Sequence, residues 1–397
     1  MIEADLMSGF PPPPDAQVTL ANWRTAPFNR WAFHHVREII ASADIPNDPG
    51  AVAPLPAATA DLDGVPVDGS ASFRESLAAT DTDGVVVLQR GRVVHEAYAH
   101  GLDAHTPHIL MSVSKSLLGL LAGILVEDGI LDPDAPVTRY VPEVAATAYR
   151  GASIRHLLDM RAGVAFDENY EAASGPIIAY RKAQNWNPPE PGDPPSDLRG
   201  FYAALTGSDG PHGGRFHYVS PNTDLLGWAI ERASGRRYAD LLSERLWRPM
   251  GAERSAYITV DRLGAPRCAG GICATVRDLA RVGDLLVRGG ERDGRRIVPA
   301  GWIDDLASGG DAAAWTSGDF ADLFPGSAMR YRSQWYAVED APPLLFGFGV
   351  HGQTLIVDRE HGVVIAKVSS QAMAIDEPRM ALTLRAAHAV IAVLAGS

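Results

Sequence analysis

Ser112 and Lys115 stand three residues apart at the head of an apolar run, in the stretch Met111-Ser112-Val113-Ser114-Lys115-Ser116-Leu117. In a helix that spacing puts both side chains on one face. A serine hydroxyl is a poor nucleophile at neutral pH and needs a neighbour that takes its proton. Lysine can serve if burial or nearby positive charge lowers its pKa. Leu117, Leu118, Leu120, Leu121, Ile124 and Leu125 predict a buried helix over 112–128, closed by Gly129 as a C-terminal cap. Lys115 is therefore expected to be partly desolvated. The first turn of such a helix also offers free backbone N–H groups and a positive dipole end, which favour a developing oxyanion. The chemistry this pair could do is acyl transfer through a serine ester. The competing reading is an ordinary helix start with Ser112 as N-cap. Only three lysines occur in the chain, Lys115, Lys182 and Lys367, so a Ser-x-x-Lys pair is not trivially common. Ser114 and Ser116 have Leu117 and Gly119 at their +3 positions and no base.

Other chemistries find less support. No Gly-x-Ser-x-Gly elbow occurs, which disfavours an α/β-hydrolase. His95-Glu96 is followed by His100, one residue too far for a zincin helix, and the segment reads as a strand. No P-loop is present, and Cys268 and Cys273 read as two reduced, buried thiols with no cluster of further ligands for zinc. No metal and no cofactor are expected. The 397 residues carry 35 Lys and Arg against 48 Asp and Glu, a net charge of −13. That balance argues against nucleic acid and anionic membranes as partners. No stretch approaches the roughly 20 apolar residues that span a bilayer. The acidic, Pro-rich start, with Pro11 to Pro14, does not resemble a signal peptide, so a soluble cytoplasmic protein is expected.

The elements around Ser112 follow from pattern. Val85-Val86-Val87-Leu88 and Val93-Val94 flank the turn Gln89-Arg90-Gly91-Arg92, a β-hairpin signal. Residues 46–70 read as an irregular arm, residues 130–260 as mostly helical with long loops, and 183–195 as a Pro-rich surface loop. Strands return over 333–338, 344–350, 354–357 and 363–368, and a last helix runs over 377–394. Strands at both chain ends with helices between predict an α+β architecture: an antiparallel sheet flanked by helices, with an inserted, mainly helical region. The expected division is 1–115 with 260–397 as the sheet domain and 116–259 as the helical domain, with the active site in the cleft between them.

Further motifs carry a resemblance. Phe216-His217-Tyr218-Val219-Ser220-Pro221-Asn222-Thr223-Asp224, followed by Leu225 to Gly235, is similar to the tyrosine segment of class C β-lactamase-related serine hydrolases, and Gly347 to Gln353 is similar to their third motif. Asn29 to Phe33, Met111 to Leu117 and Asp278 to Gly283 resemble, within that group, the 6-aminohexanoate-dimer (nylon oligomer) hydrolases. The resemblance runs over about residues 20–370. It implies a β-lactamase/penicillin-binding-protein-like fold, a Ser112 acyl-enzyme, activity on small-molecule amides or carboxylic esters, and a homodimer as one form of assembly. It also implies roles: Tyr218 exchanging protons with the nucleophile, the backbone N–H groups of Ser112 and Val350 forming an oxyanion hole, and Tyr170 on a mobile loop covering the substrate. His351 occupies the third motif, and it and Arg181 join Tyr170 as expected substrate contacts.

Two departures separate the chain from β-lactamases. His351-Gly352-Gln353 replaces the Lys-Thr-Gly type of third motif, and Ser220 stands two residues after Tyr218 where class C enzymes carry Asn. A serine amidase or carboxylesterase for linear substrates is the leading expectation, with a β-lactamase or D,D-peptidase and a catalytically silent binding module behind it. Near Tyr170 the charges change sign, from Asp167, Glu168 and Glu171 to Arg181 and Lys182. Cations there would favour neutral or carboxylate-bearing substrates over one with a free amine.

Overall fold

The structure, a computed structural model, describes residues 6–58, 60–69, 71–324, 326–340 and 342–396. Its strands, in chain order, are β1 (Ser42–Ile45), β2 (Thr82–Gln89), β3 (Arg92–Tyr98), β4 (His108–Ile109), β5 (Ala256–Thr259), β6 (Ile272–Ala274), β7 (Glu291–Arg292), β8 (Arg295–Arg296), β9 (Met329–Arg332), β10 (Trp335–Val338), β11 (Leu344–Gly349), β12 (Gln353–Asp358) and β13 (Val363–Ser369). Seven of them form an antiparallel sheet in the order β3-β2-β13-β12-β11-β10-β9. Early and late chain segments thus close one sheet, and the α+β class expected from the sequence holds.

The pleat explains why β2 is a continuous apolar run. Val85 and Val87 face one side and join Phe73, Ile365, Ala387 and Val390, while Val86 and Leu88 face the other and join Leu117, Leu279, Val282 and Val364. Helices therefore cover both faces: Phe73–Ala79 and Glu377–Ala395 on one, Val113–Glu127 and Val276–Val287 on the other. Glu377–Ala395 is the one helix among the described residues long and apolar enough to cross a membrane by length and composition. Here its stripe Ala386, Ala387, Val390, Ile391 and Leu394 is buried against the sheet. The irregular arm lies along the outer edge of β3, where Val93 donates to Pro56 O (2.9 Å) and accepts from Ala58 N (2.8 Å), and Val94 accepts from Ala60 N (2.9 Å).

A second, four-stranded sheet, β1-β5-β6-β4, escapes the sequence reading because its strands are only two to four residues long. It ends on β4, three residues before Ser112, and Leu110 N bonds to Ile272 O on β6 at 2.8 Å. This sheet fixes the chain as it enters the helix that follows Ser112. The expected strand over 333–338 divides otherwise: Ser333 and Gln334 form a turn at φ 47° and 70°, and β9 precedes it.

Candidate active site

The helix that follows Ser112 spans Val113–Glu127, with Ser112 at its N-cap position. Met111 just before it sits at φ 45°, a left-handed conformation that costs a non-glycine residue energy. Ser112 makes no side-chain capping bond. Its hydroxyl lies 2.8 Å from Lys115 Nζ instead, which sets aside the plain N-cap reading.

Lys115 is 1% exposed. Besides Ser112 its amine bonds to the Ala269 carbonyl at 2.8 Å and to Ser220 Oγ at 3.1 Å. Ser220 in turn gives its hydroxyl proton to Glu168 Oε1 at 2.5 Å, and its amide donates to the same carboxylate. Asp224 holds Ala269 through the amide of that residue at 2.8 Å. Burial is the main cause that brings the Lys115 ammonium down to about 7; Arg267 acts in the same direction, while Glu168 and Asp224 oppose it. A neutral amine has two donors and one lone pair. Ala269 O can only accept and Ser220 Oγ has already given its proton to Glu168, so the lone pair is left for Ser112.

Tyr218 lines one cavity with Ser112 and Tyr336, and Lys115 Nζ sits 4.8 Å from the centre of its ring. Asp319 accepts its backbone amide at 2.9 Å and the ring of His217 at 2.8 Å, which pins the segment before the Ser220–Ser234 helix. Burial above all, with Glu168 close by, raises the Tyr218 hydroxyl above its ordinary range, so it stays a proton donor. Asn222 points away, accepting the hydroxyl of buried Tyr149 at 2.9 Å.

Val350 follows β11 directly. The glycines of Gly347-Phe348-Gly349 have a steric reason: a Cβ at Gly349 would meet Leu110 O at 2.8 Å and Met111 Cβ at 3.0 Å, and one at Gly347 would meet Ser116 Oγ at 2.7 Å. Only a bare strand edge lets β11 press this closely on the start of the Ser112 helix. Beyond Val350, His351 stands at φ 62°, its ring bonded to Gln371 O at 2.8 Å and edge-on to Phe33. Burial, chiefly, drops the His351 imidazole to about 4, so it is a neutral strut as well as part of a cavity wall.

Two cavities meet at Tyr170 and Val350. The first, about 80 Å³, contains Ser112 and Tyr218 and is otherwise mostly aromatic and apolar, with Phe320, Phe324, Tyr336 and Phe348. The second, about 240 Å³, is polar and includes Arg24, Glu168, Arg181, Gln184, Arg267 and His351. Tyr170 bonds to Glu168 through its hydroxyl at 2.8 Å and takes Arg181 on its carbonyl at 3.0 Å. Lys182 turns outward and pairs with Glu190 and Asp193 at 3.0 and 2.6 Å; its charge, counted toward the cleft on sequence, does not belong there. The sequence marks Glu168 only as a loop charge, and it does not single out Asp224, Ala269 or Arg267.

A family model described as Beta-lactamase matches residues 71–389. The chain belongs to the beta-lactamase family. This serine hydrolase is 36% identical over 361 residues to a 6-aminohexanoate-dimer hydrolase of Paenarthrobacter ureafaciens, covering 91% of this chain and 90% of that protein. A solved structure from Bacillus anthracis, assigned as a 6-aminohexanoate-dimer hydrolase, superposes with a TM-score of 0.85 at 27% identity, over 96% of this chain and 98% of that one. The hydrolase EstCE1, which has promiscuous acyltransferase activity, shares the fold at 17% identity with a TM-score of 0.61, over 80% and 98% of the two chains. Among the described residues of this beta-lactamase-family hydrolase, no group of three or more His, Cys, Asp or Glu side chains could hold a metal ion.

Proposed function

We propose that the protein hydrolyses linear amides or short carboxylic esters through an acyl-enzyme on Ser112. The observation that carries this reading is the 2.8 Å approach of Ser112 Oγ to a buried lysine brought down to about 7. Neutral Lys115 takes the hydroxyl proton as Ser112 attacks the carbonyl. The backbone N–H groups of Ser112 and Val350 bind the oxyanion. Tyr218, protonated and beside Ser112, passes a proton to the leaving group and is recharged through Lys115; water then repeats the sequence to release the acid. Tyr170 closes the cleft, and the cleft is the boundary between a unit formed by 1–115 with 260–397 and one formed by 116–259. Binding without catalysis would not call for a lysine held neutral at the serine. Lactam turnover is disfavoured because the third-motif position is occupied by a buried, neutral His351 rather than a cation for the antibiotic's carboxylate.

Ser112→Ala tests the proposal. It removes one hydroxyl that makes no capping bond, so the folded protein is expected with ester hydrolysis reduced to background. Full turnover by folded Ser112→Ala would refute the assignment.

A further inference from the structure

The second cavity carries more positive charge than chemistry at Ser112 uses. Of the three arginines on its wall, Arg267 is matched by Asp224 at 2.5 Å. Arg24 and Arg181 have no carboxylate within ion-pair distance among the described residues; their guanidinium groups bond to Asn187 Oδ1 (2.5 Å) and to the Tyr170 carbonyl. The carboxylates facing the same space are Glu168, already engaged by Ser220 and Tyr170, and Glu171, which is exposed. Gln184 is 1% exposed, and both atoms of its amide lack a partner; the Nε atoms of Arg24 and Arg267 are buried and unpartnered as well. Buried polar groups without partners are costly and rare. Burial first, and then the neighbouring Arg181 and Arg267, push the Arg24 guanidinium down to about 9. An anion with several acceptor oxygens would satisfy the N–H donors among these groups together, the Gln184 Nε2 and the two arginine Nε atoms.

Its place along the substrate follows from Tyr218. That residue lines the first cavity and not the second. The leaving group must lie beside the proton donor, so the apolar cavity takes the leaving group and the cationic cavity takes the acyl arm. Resting on the Ser112 reading above, we propose that Arg24, Arg181, Arg267 and Gln184 form a carboxylate subsite for the acyl arm, and that the substrates are half-esters or half-amides of short dicarboxylic acids. Hydrolysis adds water across the ester or amide bond and releases the free dicarboxylate with an uncharged alcohol or an amine.

Three esters of equal length isolate the charge: monophenyl adipate, phenyl hexanoate and phenyl 6-aminohexanoate. The expected order of kcat/KM is carboxylate, then neutral, then ammonium, with steps of about tenfold, the scale of one charge-assisted hydrogen bond. The ratio of adipate to hexanoate ester should fall about tenfold in Arg24→Gln and in Arg181→Gln, and less in Arg181→Lys. Equal rates for the three esters, or a preference for the ammonium ester, would overturn the subsite while leaving Ser112 chemistry standing. If no ester is cleaved in a Ser112-dependent way, the reading of Ser112 fails instead. Calorimetric binding of adipate against hexylamine to folded Ser112→Ala then decides the subsite alone: adipate must bind and hexylamine must not. Should the arginine variants fail to fold, the wild-type ester series and the adipate titration decide the same question.

Discussion

Lys115 is the residue on which the proposed chemistry turns, because it must be neutral to act. A base brought down to about 7 gives a rate that climbs as pH rises through about 7 and levels above it. The kcat/KM profile of a neutral ester should show that single acidic limb. Glu168 favours the charged amine, so Glu168→Gln should move the limb to lower pH; an unmoved limb would mean the titrating group is not Lys115. Tyr218 and Lys115 share one proton path, and residues acting as a unit give non-additive losses. Lys115→Ala combined with Tyr218→Phe should therefore be little worse than either alone, measured as kcat for ester hydrolysis. Motif spacing exposes Ser112 and Lys115, and the resemblance of its segment exposes Tyr218, because the roles proposed for all three belong to side chains. Ala269 is invisible in the same sequence: it contributes a backbone carbonyl from 154 positions away, and a carbonyl has no residue-type signature. Glu168 and Asp224 carry suitable side chains, yet nothing local separates a carboxylate that organises Ser220 or Ala269 from one in water.

At the level of elements, the third motif works as a spacer. Gly349 has an ordinary extended φ of −133°, so its need is room and not backbone freedom. Gly349→Ala should push β11 off Leu110 and Met111 and cost about 1–3 kcal/mol of stability from overpacking. Because the displaced strand carries Val350, kcat should fall far more than the stability loss explains, and chemical denaturation run beside kinetics checks both. The same scale shows what pattern could reveal. β2, β12 and β13 are long, rich in β-branched residues and bounded by turns, so they are legible as strands. β9 reads Met-Arg-Tyr-Arg, half of it charged, and the turn that follows uses Ser333 and Gln334 at positive φ where asparagine or glycine would have marked it. The small sheet gains stability from where its neighbours place it, and two-residue strands leave no period to read.

Across the whole molecule, the first forty residues are more than a leader to the fold. Trp23 is 1% exposed, meets Phe33 and Trp186 edge-on at 6.0 and 5.1 Å, and donates its indole N–H to Trp186 O at 3.0 Å. The same cluster contains Met111 and Tyr257. This segment lies before the residues matched by the family model, and it delivers Arg24 to the second cavity. Trp23→Ala should cost about 3–5 kcal/mol, as deletion of a buried aromatic does, and should be read as a lower melting temperature together with a smaller adipate-to-hexanoate ratio. The arm along β3 has a different consequence. Pro56, Ala58 and Ala60 occupy the ladder positions of Val93 and Val94 that an outer strand would otherwise show to solvent. Bare strand edges recruit other chains. Proteolytic cleavage within this arm should therefore be followed by self-association of the nicked protein into light-scattering aggregates while the catalytic groups, remote from that edge, are still in place.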